Sequence, residues 1–179
     1  MIETPRLLLR RWRGSDIAPY AAMMGDPAVG DWLGGTLNPA QARAKIDGYE
    51  AAFETHGMGR LAIERLADGR LIGHCGLMPA HPEIPFAPAV EAGWALVPET
   101  WGQGYAVEAA RAVLADGFDR LGLAEIVAYT TAANLRSQAV MAGAGFIRDA
   151  ARDFDHPALA DDHPLRSHLV YAAQRPDPQ

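Results

Sequence analysis

Apolar residues alternate with small or polar ones over Val90–Leu96, and this period of two predicts a β-strand. Pro98 follows, and the strand must end before it because proline has no N–H group to donate. Over residues 106–118 the apolar positions recur at helical spacing. Between strand and helix, Gly102 and Gly104 allow a ligand to approach the backbone closely. The arrangement predicts an anion-binding site, since unpaired N–H groups and the helix dipole converge at such a corner.

Similar patterns predict strands and helices along the rest of the chain. Strands are predicted at residues 6–10, 59–65, 70–77, 125–131, 146–153 and 168–173. Helices are predicted at residues 17–24, 39–56 and 135–144. Asp68 and Gly69 favour a tight hairpin turn, and Asn38 followed by Pro39 favours the start of a helix. Residues 79–88 and 155–164 contain several prolines and are predicted to be loops.

Composition indicates one globular domain, since 179 residues with 49% apolar content can bury a sizeable core. The net charge of −6 argues against general binding to nucleic acid or acidic membranes and weakly favours cationic small molecules. Cys75 is the sole cysteine, so a reducing compartment is expected. The first residues look too charged for a signal peptide, and no apolar run reaches the ~20 residues of a membrane span. A cytoplasmic protein is therefore predicted. Lys45 is the only lysine, so backbone amides and arginines would have to meet an anionic cofactor.

The predicted strand and turn together carry a motif. Trp94, Leu96 and Pro98 lie at the end of the strand, and the turn reads Trp101-Gly-Gln-Gly104-Tyr-Ala. This resembles the acyl-coenzyme A signature of the GNAT acetyltransferases, and residues 98–109 (PETWGQGYAVEA) are most similar to the RimJ/RimL branch. Trp101 stands where many members have glutamine or arginine, so the backbone of the turn is expected to carry the phosphate contact.

The resemblance covers nearly the whole chain and implies its fold. It implies an α/β (mixed α+β) protein with a single GNAT-type domain at residues 1–174 and a flexible tail at residues 175–179. A mixed central sheet of about seven strands with helices on both faces is expected. Dimers are common among relatives, so a homodimer is an open expectation.

The resemblance also implies acetyl-coenzyme A as co-substrate, an amine as acceptor and no metal. Main-chain groups at the end of the strand are expected to hold the pantetheine arm. The turn is expected to hold the diphosphate. The residues expected to contact the cofactor are Trp94, Ala95, Leu96, Gly102, Gln103, Gly104, Tyr105, Ala106, Val107, Asn134 and Ser137. Asn134 and Ser137 form an N-x-x-S pattern that recurs in RimJ/RimL relatives, although Asn134 would serve equally as an ordinary helix N-cap.

Two residues are expected to carry the chemistry. Glu91 matches an acidic position of the RimJ/RimL branch and is the candidate base that takes a proton from the amine. Its alternative roles are those of a solvated strand glutamate or of a partner in an ion pair. Ser137 is expected near the thiol, and Met141 stands where some relatives have the tyrosine that protonates the thiolate. Ser137 or water would then supply that proton.

The sequence leaves other functions to consider. Gly102 and Gly104 would also suit a dinucleotide-binding turn, but Val107 occupies the position of its third glycine. The histidines form no HxH or HExxH pattern, so surface or loop roles are favoured over a zinc site. The main alternative to an enzyme is an acyl-coenzyme A-binding sensor without efficient turnover. Within the enzyme interpretation, the acceptor is either a protein N-terminus or a small amine.

Overall fold

The computed structural model describes residues 1–157 and 159–176. Its strands are β1 (Ile2–Glu3), β2 (Leu7–Arg10), β3 (Arg60–Arg65), β4 (Arg70–Pro79), β5 (Val90–Leu96), β6 (Glu125–Thr131), β7 (Ile147–Arg148), β8 (Phe154–Asp155) and β9 (Ser167–Gln174). Its α-helices are α1 (Ile17–Gly25), α2 (Pro27–Gly30), α3 (Pro39–His56), α4 (Tyr105–Asp119) and α5 (Leu135–Ala144). Short 3-10 turns lie at Gly14–Asp16, Pro98–Thr100 and Ala150–Arg152.

Within the described residues, the strands form one mixed sheet. Their order is β1-β2-β3-β4-β5-β6-β9-β7, and β8 also pairs with β9. All neighbouring strands are antiparallel except β5 and β6, which run parallel. The mixed sheet with helices on both faces confirms the predicted fold class. The strand count exceeds the prediction because β1 and β8, of two residues each, are too short to produce a periodic sequence pattern.

The sheet opens between β5 and β6. Their only registered pair among the described residues is Glu91 with Val127, whereas β5 pairs with β4 along its whole length. Beyond Glu91 the two parallel strands diverge. One edge of β5 therefore has main-chain groups without a partner strand, at the end of the strand where the resemblance implies contacts to the pantetheine arm.

The helices cover the two faces of the sheet and bury separate cores. α4 and α5 pack on the face that carries Leu77 and Ala92. α1 and α3 pack on the opposite face, where Ile46 of α3 shares a core with Ala95. Because successive strand residues point to opposite faces, Glu91 shares the α1/α3 face with Ala95 and not the face of Ala92. This agrees with the alternation that the sequence predicts.

Local sequence signals account for the bounds of α3. The Asn38 side chain accepts the N–H of Gln41 at 2.9 Å, and the Gln41 side chain accepts the N–H of Asn38 at 2.9 Å. This capping box satisfies two donors that a helix start leaves unpaired. Gly57 ends the helix at φ +68°, a left-handed conformation that favours glycine. The helix predicted at residues 39–56 is confirmed.

The strand predicted at residues 146–153 is wrong for most of its length. Only Ile147–Arg148 pair in the sheet, and the chain then turns at Ala150–Arg152. Asp153 accounts for the break, because its Oδ1 accepts the N–H of Val170 at 3.0 Å in place of a main-chain carbonyl. A side chain that substitutes for a ladder hydrogen bond leaves no mark on hydrophobic periodicity.

Smaller differences occur at prolines and at the C-terminus. Asp26 and Pro27 end α1 and also begin α2, with the Asp26 side chain accepting the N–H of Ala28 at 2.9 Å. β4 continues through Pro79, where a loop is predicted. In the predicted tail, Arg175 still donates its N–H to a carbonyl of the domain, and residues 177–179 lie outside the described residues. No helix in the described part of the chain is long and apolar enough to cross a lipid bilayer.

Candidate active site

A cleft of about 890 Å³ opens where β5 and β6 diverge and continues to the N-terminus of α4. Most residues predicted to contact the cofactor or carry the chemistry line it. They are Glu91, Trp94, Ala95, Leu96, Gly102, Gly104, Tyr105, Ala106, Val107, Asn134 and Ser137. Gln103 does not line the cleft, and its side chain donates to the carbonyl of Glu99 at 2.8 Å. Elements far apart in sequence thus bring the predicted residues together.

The turn before α4 offers unpaired amides to the cleft. The N–H of Trp101 donates to Pro98, and the N–H of Glu108 donates to Gly104. Between these two, the six N–H groups of residues 102–107 donate to no described residue. Gly102 and Gly104 make the turn possible, with φ of +74° and +80°. Six unpaired amides at the start of a fifteen-residue helix form a strong site for an anion.

The turn is fixed in place by the N-terminal segment of the chain. Arg6 donates to the carbonyl of Gln103 at 3.0 Å and to Glu108 at 2.6 Å, and its guanidinium lies 4.4 Å from the centre of the Tyr105 ring. Thr4 donates to the same glutamate at 2.7 Å. Burial raises the pKa of Glu108, but the hydrogen bonds from Thr4 and Arg6 outweigh it and lower that pKa overall. Glu108 is therefore a charged anchor of the turn.

A cation reaches this corner from α5. The Trp101 indole donates to the carbonyl of Leu96 at 2.9 Å, so its ring folds back along the end of β5. The guanidinium of Arg136 lies 4.3 Å from the centre of this ring, and both residues line the cleft. Arg136 makes no ion pair with any described residue. The positive charge that the turn lacks at Trp101 is thus present nearby on Arg136, a residue that no sequence motif indicates.

The far wall of the cleft combines strand edge and helix start. The N–H of Val97 donates to the carbonyl of Ile72 on the β4 side at 2.9 Å. Main-chain groups of an antiparallel strand alternate between its two neighbours, so those of Ala95 face β4 and those of Trp94 and Leu96 face the open side toward β6. Ala95 lines the cleft, but its main-chain groups point away from it.

Asn134 and Ser137 lie opposite this strand edge. The Asn134 side-chain oxygen caps α5 by accepting the N–H of Ser137 at 3.2 Å. The Asn134 amide NH₂ and the Ser137 hydroxyl have no hydrogen bond to any described residue. The cap role and a ligand contact are therefore compatible for Asn134, because they use different atoms. Met141 also lines the cleft and is buried.

Both carboxylate oxygens of Glu91 have protein partners. Arg60 donates to one oxygen and the Tyr129 hydroxyl to the other. Arg60 is only 7% exposed and also donates to the carbonyl of Gly76 at 2.6 Å. A Cβ at Gly93 would overlap the Arg60 guanidinium, so a side chain there would push Arg60 out of this pair. Burial, and then the Glu91 charge, raises the pKa of Tyr129, which stays a neutral donor.

Glu91 therefore takes part in an ion pair, one of the roles that the sequence left open. Lone pairs remain on both of its oxygens, so the contacts leave capacity for a further proton or hydrogen bond. Arg60 and Tyr129 were not singled out by the sequence. The glycine in V-E-A-G-W was the one available signal, since a glycine inside a strand often marks the close approach of another group.

A second group of polar residues lines the cleft on the α1/α3 face. Lys45 lies on the same face of α3 as Tyr49, and both line the cleft near His74. Burial lowers the pKa of Lys45, and Arg60 lowers it further, against a smaller opposing effect of Glu91. His74 is buried, and its Nδ1 has no hydrogen-bond partner among the described residues. Burial, and then Arg60 and Lys45, lowers the pKa of His74, so it is neutral at pH 7.

Histidines and aromatic rings close the cleft near Glu91. His156 and His168 lie with ring centres 5.2 Å apart, and Tyr129 lies 5.7 Å from His168. Burial lowers the pKa of both histidines. His81 lies 6.2 Å from His156. The described residues contain no group of three or more His, Cys, Asp or Glu side chains placed to hold a metal ion.

Comparison of the sequence with known proteins finds a matching family model and a related enzyme. The family model described as "Acetyltransferase (GNAT) domain" matches residues 6–147. The FsC-acetyl coenzyme A-N(2)-transacetylase of Aspergillus fumigatus is 40% identical over 83 residues, which cover 44% of this chain and 35% of that protein. The chain thus matches about a third of the length of this curated relative.

Solved structures match over nearly the full chain. An acetyltransferase from Agrobacterium tumefaciens has a TM-score of 0.78 and 29% identity, and the match covers 97% of this chain and 93% of that one. An acetyltransferase of the GNAT family from Bacillus anthracis has a TM-score of 0.81 at 23% identity, covering 97% and 98% of the two chains. The second likeness concerns the fold alone.

Proposed function

The chain belongs to the GNAT family of acetyltransferases, and we propose that it transfers an acetyl group from acetyl-coenzyme A to a primary amine by direct attack in a ternary complex. The observation that carries this proposal is the row of six unpaired amides at residues 102–107, next to the open edge of β5. The row of unpaired amides suits a diphosphate, and the open strand edge suits an extended arm with amide groups. Arg136 would add a positive charge at the diphosphate end.

The reaction forms a C–N bond and breaks the thioester C–S bond. The amine must lose a proton to attack, and we assign the acceptance of this proton to Glu91, which lines the cleft beside Tyr129. Main-chain N–H groups on the open edge at Trp94 and Leu96 would stabilise the oxyanion that forms. The leaving thiolate would take a proton from the Ser137 hydroxyl or from water.

The acceptor proposed from the sequence is a protein N-terminus or a small amine. The similarity of residues 98–109 to the RimJ/RimL branch supports the first of these. The short identity to a fungal enzyme whose name specifies an N(2)-transacetylase supports acetyl transfer to nitrogen in general.

A sensor that binds acyl-coenzyme A without efficient turnover is the second candidate. It is favoured by the engagement of both Glu91 oxygens and by Met141 in place of a tyrosine. Measurement of thiol release from acetyl-coenzyme A with a panel of amines separates the two. Steady release with any amine would support the enzyme, whereas tight binding without release across the panel would support the sensor.

Gly104→Val tests the cofactor site directly. A side chain at φ +80° strains the turn and occupies the space beside the unpaired amides, so coenzyme A affinity should fall by about tenfold or more. Titration calorimetry with coenzyme A measures this. Gly122→Val is the matched control, because Gly122 has φ +68° with open space around it and lies outside the cleft. Equal affinity for the wild-type protein and the Gly104 variant would contradict the proposal.

A further inference from the structure

We infer that the acceptor is an amine that carries an anionic group, a carboxylate or a phosphate ester, and that this group pairs with Lys45. The inference deepens the proposed function and rests on it. It concerns the half of the cleft on the α1/α3 face, away from the turn that would hold the diphosphate.

The charges that line the cleft are mostly positive. Among the described lining residues, Lys45, Arg60 and Arg136 are cations and Glu91 is the sole carboxylate. Arg60 is paired with Glu91, so these two charges compensate each other. Arg136 lies on the Trp101 ring at the opposite end. Lys45 is the cation that remains on the acceptor side.

Lys45 stands in an unusual position for a lysine. It lies on α3 one position before Ile46 and four before Tyr49, which are both buried, and so borders the inward face of the helix. No described residue forms a hydrogen bond or an ion pair with it. A partly buried ammonium that makes no ion pair is unfavourable, and burial lowers the pKa of Lys45. An anion bound beside it would remove this cost.

The same charges disfavour the opposite class of acceptor. A polyamine or other multiply charged cation needs carboxylates along its length, and the described lining offers only Glu91, whose charge Arg60 already balances. Lys45, whose charge no described carboxylate balances, would repel such a ligand. An amine with a nearby anion meets both needs, since its nitrogen can approach Glu91 while its anion approaches Lys45.

A panel of matched acceptors tests the inference. Each standard L-amino acid is paired with its carboxamide, and phosphoethanolamine with ethanolamine, while spermidine represents polycations. We expect the best acceptor to be a member with an anionic group, with kcat/KM about tenfold or more above that of its partner without this group. The carboxylate and phosphate arms show which anion is used. The inference would be overturned if members without an anionic group, or spermidine, were turned over faster than the anionic members.

Lys45→Met should abolish this preference. It should lower kcat/KM for the anionic member about tenfold or more and leave kcat/KM for the partner without the anionic group nearly unchanged. Lys45→Arg should retain part of the preference. Arg43→Met is the matched control on the same helix, since Arg43 is exposed, pairs with Asp47 and lies outside the cleft. An unchanged preference in Lys45→Met would refute the assignment.

A binding measurement separates failure of the inference from failure of the proposed function. Lys45 is the only lysine, so its acetylation by added acetic anhydride can be followed on one peptide by mass spectrometry. N-acetyl amino acids or N-acetylphosphoethanolamine should slow this labelling several-fold, whereas N-acetyl amino acid amides should not. If no amine supports thiol release but protection occurs, the transfer proposal fails and the anion site stands. If neither the N-acetyl amino acids nor N-acetylphosphoethanolamine protect Lys45, the proposed anion site is refuted.

Discussion

At the scale of single residues, the site is built from side chains that fix one another. Glu91 is placed by Arg60 and Tyr129, and Arg60 is placed in turn by the absence of a side chain at Gly93. The sequence suggests Glu91 from its position in a motif but contains no periodicity that pairs it with a residue of another strand. Contacts of this kind become visible only once the strands are in register.

Glu91→Gln should lower turnover by about a hundredfold while coenzyme A affinity stays unchanged. Glutamine keeps the size of the side chain but cannot take the proton, and the loss should be smallest at high pH, where more of the amine is already neutral. Steady-state kinetics over a pH series measures this.

Glu99→Gln is the control, because Glu99 is an exposed glutamate close in sequence that pairs weakly with Arg70 at 3.3 Å. The Glu91 variant also loses the partner of a buried arginine, so its melting temperature should fall. If turnover matches that of the wild-type protein, another group or solvent accepts the proton.

Arg136→Gln should weaken coenzyme A binding about tenfold, through loss of a charge-assisted contact at the diphosphate end. Because Arg136 is exposed, the difference from the wild-type protein should shrink as salt is added. Calorimetric titration at two salt concentrations measures both effects. Arg43→Gln controls for the loss of one surface charge, and an Arg136 variant with wild-type affinity would remove this residue from the site.

At the scale of elements, caps and turns were readable from the sequence, and pairings through side chains were not. Asn38 and Pro39 predicted the correct start of α3, and the left-handed Gly57 accounts for its end. The segment at residues 146–153 failed because Asp153 replaces a ladder partner. The junction between β2 and α1 likewise depends on a buried ion pair that no sequence pattern predicts. There, Arg10 contacts Asp16 through two hydrogen bonds, at 2.7 and 3.0 Å.

Asp16→Asn should destabilise the fold by about 3 kcal/mol at pH 7, because it leaves a buried arginine with Glu64 as its remaining carboxylate partner. The two side chains of the pair are only 7% and 5% exposed. Urea denaturation measures the free energy of unfolding. Asp47→Asn, which breaks an exposed pair with Arg43, should cost less than about 0.5 kcal/mol. Similar costs for the two variants would contradict this account.

The contribution of Asp16 should also depend on pH. Burial raises the pKa of Asp16, but hydrogen bonds from Arg10 and the Arg13 amide outweigh it, and the pKa is lowered in the folded protein. The stabilisation is therefore fully present above the unfolded pKa of about 3.9 and is lost as pH falls through the folded value. The difference in the free energy of unfolding between the wild-type protein and Asp16→Asn should therefore disappear at acidic pH.

At the scale of the whole molecule, net charge and local charge have opposite signs. The chain carries −6 overall, which weakly favoured cationic acceptors, yet the cleft gathers Lys45, Arg60 and Arg136 around one carboxylate. Composition averages over the surface and cannot show where charges meet. The family motif did locate the turn before α4 and the fold around it. The cytoplasmic location, the homodimer, the domain limit at residue 174 and the absence of nucleic-acid or membrane partners stay predictions.

The divergence of β5 from β6 has a consequence for the shape of any co-substrate. A strand edge inside a sheet presents donors and acceptors at a repeat of about 6.6 Å, twice the rise per strand residue. A linear molecule with amide groups along its length can continue this hydrogen-bonding pattern, as an added strand would, whereas a compact molecule of equal polarity cannot. A preference for an elongated co-substrate is thus a property of the backbone topology before any side chain takes part.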